Sequence, residues 1–281
     1  MFKISIIFLF AIFINVANAK EFEIFDGTQY SDKPNMAKYG IKPITILYES
    51  WIWKNNENRD VPPSAKRVKQ LADTYDGKTD YIVIDIENWK VQGHPYRPWV
   101  IKNSISKYVQ TFDTFKRYFH KSKLGYFGAI LPVSNYTASI ADHNNKIYKQ
   151  WVNSNNNMKQ LADIVDVAFP SIYTYDKDPK IWDKSFKNKI TELRRIYSGK
   201  IYAFIWPQYF DHEPAPKYLN LHFIPGEFWK HQLEAAYNTV DGVIIWGGWD
   251  FNKRKRLSWD NNAEWFISTK KFIAEKRIIS E

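Results

Sequence analysis

The sequence predicts an α/β fold, a distorted (β/α) barrel of the TIM type with about seven strands. Three observations predict it. Short apolar runs of strand type recur along the 281 residues, segments with helical spacing or helix-start signals separate most of them, and aromatic and polar residues gather where the runs stop. Alternating strand and helix give right-handed βαβ units around a parallel sheet, with ligand-binding residues at the C-terminal strand ends. No G-x-G-x-x-G or G-x-x-x-x-G-K-[ST] follows a run, so a nucleotide-binding sheet would lack its phosphate cradle.

In chain order, Lys3, the apolar run from Ile4 to Val16 and Ala17-Asn18-Ala19 have the pattern of a cleavable secretory signal. Residues 1–19 are therefore expected to be a leader, and residues 20–281 a single barrel domain that is exported, either periplasmic or secreted. There is no cysteine, which excludes disulfides and thiolate nucleophiles and suits a bacterial exported protein. No later segment is apolar for long enough to span a bilayer. Strand-type runs fall at Phe22 to Phe25, Ile44 to Glu49, Tyr81 to Glu87, Leu124 to Leu131, Ile164 to Tyr173, Ile201 to Trp206 and Gly242 to Trp246. Helices are expected at Ala65 to Tyr75 after Pro62-Pro63-Ser64, at Trp99 to His120, at Ile181 to Tyr197 after Pro179, and at Phe228 to Tyr237 after Pro225. Asn-rich stretches near Asn55 to Asn58 and Asn153 to Asn157 read as loops.

Chemistry concentrates at the end of the third run. Side chains of a strand alternate faces, so Val83, Asp85 and Glu87 share one face and Ile82, Ile84 and Ile86 the other. An aliphatic outer face packs on helices, and an inner face that turns acidic at its C-terminal end reads as a catalytic carboxylate pair. Glycoside cleavage needs such a pair: a carboxyl kept protonated to donate to the leaving oxygen, and a second carboxylate unless the substrate supplies the nucleophile. Repulsion from Asp85 is expected to raise Glu87 while Asp85 stays ionised.

Other strand ends add rings. Aromatics make up 17% of the chain, with 12 Trp, 18 Tyr and 19 Phe, more than core packing calls for, and rings at a cleft grip sugar faces. Candidate substrate-binding residues are Trp51, Trp89, Tyr175, Trp206, Gln208, Tyr209, Trp246, Trp249 and Asp250. A formal net charge of +10 favours an anionic partner or plain solubility, and Lys253 to Arg256 reads as a solvated loop or a site for an acidic sugar. The expected partner is a polysaccharide or oligosaccharide, with an anionic one left open; nucleic acid is not expected. His212-Glu213 lacks the second His of a zinc-binding H-E-x-x-H, and no G-x-S-x-G is present, so neither a metal, another cofactor nor a serine hydrolase is expected.

Asp80 to Glu87 resembles the D-x-x-D-x-D-x-E strand of chitinase-type barrels, with Val83 in place of the middle Asp. Val83 to Trp89 is more similar to the V-I-D-F-E-x-W strand of the hyaluronidases. Phe169-Pro170-Ser171-Ile172-Tyr173 resembles their F-P-S-I-Y, Gly242 to Gly247 their G-V-V-L-W-G, and Gly125-Tyr126-Phe127-Gly128 a further strand. This resemblance implies a distorted barrel that hydrolyses β-linked N-acetylhexosamine glycans with retention. It makes Glu87 the general acid and base, has Asp85 and Tyr173 orient the substrate acetamido group as internal nucleophile, and has Trp246 line its pocket. The family's cysteines are absent, and Tyr136 and Asn135 compete for the position of a tyrosine after the fourth strand. Two other readings remain: an ordinary two-carboxylate glycosidase that uses Glu49 with Glu87, and a glycan-binding barrel without catalysis, against which the intact D-x-E stands.

Overall fold

Ile82, Ile84 and Ile86 are buried in the layer between sheet and helices, while Val83 is buried in a separate inner cluster with Phe25, Ile46, Phe169, Phe204 and Ile244. Period-two alternation thus produces two cores, one inside the sheet and one outside it. A computed structural model describes residues 21–54, 57–92, 97–128, 131–251 and 253–278. The expected leader lies outside the described residues.

The chain runs β1 (Glu23–Thr28), a 3-10 turn (Met36–Tyr39), β2 (Lys42–Pro43), β3 (Thr45–Tyr48), α1 (Glu49–Ile52), α2 (Ala65–Tyr75), β4 (Tyr81–Asp85), α3 (Pro98–Lys116) and β5 (Lys123–Gly128). It continues with α4 (Tyr136–Ser139), α5 (Lys146–Asn157), α6 (Lys159–Ala162), β6 (Phe169–Pro170), α7 (Pro179–Ile196), β7 (Tyr202–Ile205), α8 (Gly226–Thr239), β8 (Gly242–Gly247), β9 (Trp249–Asp250), β10 (Lys255–Arg256) and α9 (Glu264–Lys276). Helix starts follow the sequence signals. The Ser64 hydroxyl accepts the Arg67 N–H at 3.2 Å, and Asp178 accepts that of Lys180 ahead of Pro179.

All barrel pairings are parallel. β2, β1, β8 and β7 form one four-stranded sheet and β3, β4, β5 and β6 the other. Two links join them into a ring. Bridges Ala168–Ile201 and Ser171–Phe204 connect β6 to β7, and β2 and β3 are one stretch of chain interrupted at Ile44, its first part paired with β1 and its second with β4. Seven strands therefore close on themselves, matching the seven runs read from the sequence. The N-terminal end of the ring is plugged by Glu23, Tyr81 and Tyr202, whose side chains hydrogen-bond in series.

Several boundaries differ from expectation for local reasons. The run from Ile164 to Tyr173 contributes only Phe169–Pro170 to the ladder: the Ile164 and Val165 N–H groups close the turn after α6 on Leu161, and Pro170 has no N–H to give. Asn153 to Asn157 is helix, the end of α5. There Asn155 is fully buried and accepts the Val133 N–H at 3.0 Å. The sequence reading also passed over α9, which packs against α8, and the β9–β10 hairpin. Gly248, at φ 83, turns the chain out of the barrel into that hairpin, and a Cβ there would lie 2.5 Å from the Tyr30 nitrogen. None of the described helices is long and apolar enough to cross a membrane.

Candidate active site

The C-terminal ends of the strands surround a cavity of about 680 Å³. Eight of the residues singled out in the sequence line it: Asp85, Glu87, Tyr173, Trp51, Tyr175, Trp206, Trp246 and Trp249. β4 delivers the two acids. Its ladder ends with Asp85, whose register partner on β3 is Tyr48, and Glu87 stands two residues further on, in contact with the cavity.

Burial is the largest influence on both acids and raises both above the ordinary carboxylate range. For Asp85, which is raised well above it, the charges of Glu87 and Glu49 and a hydrogen bond to Glu87 push the same way. For Glu87 the Glu49 charge pushes up, whereas Lys90 and the hydrogen bond from Asp85 pull down. Both acids are therefore harder to ionise than an ordinary carboxyl, Asp85 the more strongly. The expectation that repulsion raises Glu87 and leaves Asp85 low is corrected: Asp85 lies deeper than Glu87, and desolvation raises it too.

Rings and hydroxyls face the pair. Tyr173 is 8% exposed, with its ring centroid 5.5 Å from Trp206 and 6.0 Å from Trp246. Burial, then the charges of Asp85 and Glu87, keeps its hydroxyl protonated far above neutral pH. Tyr48, not singled out in the sequence, accepts from Gln29 Nε2 at 2.7 Å and from Trp246 Nε1 at 3.2 Å. With both acceptor sites used, its own proton is free to be donated elsewhere. Period two would have found Tyr48, since Ile46 and Tyr48 share the inward face of their run. Phe127 was reachable in the same way on β5, whereas Phe210, His212 and Phe251 come from loops and the hairpin, where no period applies.

Four candidates are not among the lining residues. Trp89 points into the outer core, 4.9 Å from Tyr108 and 5.7 Å from Trp53, and its Nε1 donates to the Arg59 carbonyl at 2.8 Å. Gln208 stands behind Trp206 and accepts from its indole N–H at 3.1 Å. Tyr209 is buried in the outer core, and Asp250 accepts the Lys253 N–H to close the hairpin turn. Of the basic run only Arg256 reaches the cavity.

Glu49 opens α1 instead of ending a strand and is not among the lining residues. Its Oε1 accepts the backbone N–H groups of Glu87 at 2.9 Å and Asn88 at 3.1 Å, and its Oε2 accepts from Asn88 Nδ2 at 2.8 Å and Arg59 at 3.4 Å. Asp211 does line the cavity, with its Oδ1 2.6 Å from His212 Nδ1.

No protein-family model matches the sequence, and no curated protein matches it. Among solved structures, bee venom hyaluronidase superposes over 92% of this chain and 98% of its own, with a TM-score of 0.56 and 15% identity. The same protein in complex with a hyaluronic acid tetramer gives a TM-score of 0.60 at 17% identity, over 92% of this chain and 95% of its own. The chain has the fold of that barrel along nearly its whole length.

Proposed function

We propose that this protein is an exported, retaining glycoside hydrolase that cleaves β-linked, N-acetylhexosamine-containing polysaccharide with the substrate's own acetamido group as nucleophile. One observation carries the proposal: Asp85 and Glu87 stand at the C-terminal end of a barrel strand and line a cavity walled by Tyr173, Trp206 and Trp246. The likeness in fold to bee venom hyaluronidase, seen with a hyaluronic acid tetramer, supports a glycan as substrate. The leader read in residues 1–19 supports export.

In this scheme Glu87 gives a proton to the glycosidic oxygen while the acetamido carbonyl oxygen attacks the anomeric carbon, so the bond to the leaving sugar breaks as the oxazolinium ring forms. Asp85 accepts a hydrogen bond from the acetamido N–H, a task it performs as the carboxylate while Glu87 carries the proton. Tyr173 donates to the acetamido oxygen, and Trp246 packs on the methyl group. Water then loses a proton to Glu87 and adds at the anomeric carbon, which opens the ring and restores both acids. A two-carboxylate mechanism through Glu49 is less well supported, because both Glu49 oxygens are engaged by N–H donors. A thiazoline mimic of the cyclised intermediate tests the reading: inhibition, weakened in Tyr173→Phe, is expected. Absence of inhibition at millimolar concentration, in an enzyme that still hydrolyses the polymer, contradicts acetamido participation.

A further inference from the structure

The acid pair is held by a third carboxylate that takes no part in the bond changes described above. We propose that Glu49 is a positioning residue, which pins the backbone that carries Glu87 and places a fixed negative charge behind the Asp85–Glu87 pair. The inference rests on Glu87 as the acid.

The geometry is specific. β4 stops at Asp85, and the chain beyond it has no ladder to fix its direction. Glu49 replaces the ladder, with Oε1 accepting from the N–H groups of both Glu87 and Asn88. From the opposite side the Tyr108 hydroxyl on α3 reaches the Ile86 carbonyl at 3.0 Å and the Trp89 carbonyl at 3.2 Å. Arg59, which donates to Glu49, also accepts from the Trp89 indole through its carbonyl. Residues 86 to 89 are thus tied to α1, α3 and the segment before α2, and only the Glu87 side chain is left to address the cavity. Four N–H donors converging on one side chain call for a group that accepts with both oxygens and donates nothing, which among side chains means a carboxylate. Holding a reacting group this way matters, because a displacement of about 1 Å can cost about 10²-fold in rate.

The charge has its own consequence. Around the pair stand Glu49 with its partner Arg59, the cation Lys90, and the hydroxyls of Tyr48, Tyr108, Tyr173 and Tyr175, which burial keeps neutral, while Asp211, His212 and Arg256 line the same cavity. Glu49 favours the protonated form of both acids. Glu49→Gln keeps an oxygen for the two backbone N–H groups and removes the charge; Glu49→Ala removes both. The alkaline limb of kcat/KM should therefore move to lower pH in Glu49→Gln. Glu49→Ala should lose about 10²-fold at the optimum, with Gln restoring most of that loss.

The experiment measures kcat/KM against pH for wild type, both Glu49 variants and Glu87→Gln on a β-linked N-acetylhexosamine polymer, with circular dichroism to establish that each folds. Azide is added to Glu49→Ala to trap the sugar as a glycosyl azide if a nucleophile has been lost. A Glu49→Gln limb at the wild-type pH, or glycosyl azide from Glu49→Ala, overturns the proposal. If Glu87→Gln retains turnover, the reading of the acid fails, whereas a dead Glu87→Gln beside an unshifted Glu49→Gln removes only the role of Glu49.

Discussion

Asp85 shows at single-residue scale how a site is set against the stability of its fold. A buried carboxyl whose folded-state affinity for the proton exceeds its unfolded one binds more protons folded than unfolded, at every pH between the ordinary Asp value and its raised one. Stability contributed by that proton is complete below the ordinary value and falls as pH rises through the window. Asp85→Asn should therefore melt higher than wild type at pH 7, while the difference vanishes under acid conditions where both states are protonated. Equal melting temperatures at pH 7 would mean that burial does not burden this acid. The residues that were legible, Asp85, Glu87 and Tyr173, lie on or within three positions of a ladder, where alternation still decides direction. Trp89 and Tyr209 lie four positions past the ends of β4 and β7, and Gln208, no further from its ladder than Tyr173 is, is turned aside by hydrogen bonds with the Trp206 indole and the Leu221 carbonyl. Glu49 was misread for a related reason: α1 begins there and turns its carboxylate toward the backbone of the next strand end.

Among the elements, the barrel strands and the long helices were legible, since a stripe such as Ile105, Tyr108, Phe112 and Phe115 on α3 fixes both helix and buried face. The α9 stripe of Trp265, Phe266, Thr269, Phe272 and Ile273 has comparable spacing but follows the last strand, where the barrel pattern no longer asks for a partner. Phe115 is fully buried beside Phe119, with ring centroids 5.4 Å apart. Phe115→Ala should destabilise the fold by about 3–5 kcal/mol, from lost transfer energy and the cavity left behind. Chemical denaturation measures this, and activity per folded molecule should stay at the wild-type level, because α3 meets the acid-bearing segment through Tyr108 and Lys107, not through Phe115. A loss below about 1.5 kcal/mol, the range of volume-conserving swaps, would show that the outer core repacks there.

At the scale of the whole molecule, among the described residues seven strands close the ring and the long helices pack outside it, so the mouth of the barrel is left to α1, the connecting loops and the β9–β10 hairpin. The hairpin brings Arg256 to the cavity and leaves the Lys253 side chain 71% exposed, so the basic run reaches the site through one guanidinium. Arg256→Ala should raise KM for an acidic polymer and leave neutral N-acetylglucosamine oligomers unaffected, with the wild-type preference fading as salt screens exposed charges within about 10 Å at 0.1 M. Equal effects on both substrates would make the basic balance a matter of solubility alone. Beneath these questions lies the claim that Glu87 is the acid of a glycosidase. Turnover of a β-linked N-acetylhexosamine polymer by Glu87→Gln addresses it most directly: a loss of about 10²–10⁴ in rate is expected, with melting temperature and polymer binding preserved, and turnover near that of wild type would contradict it.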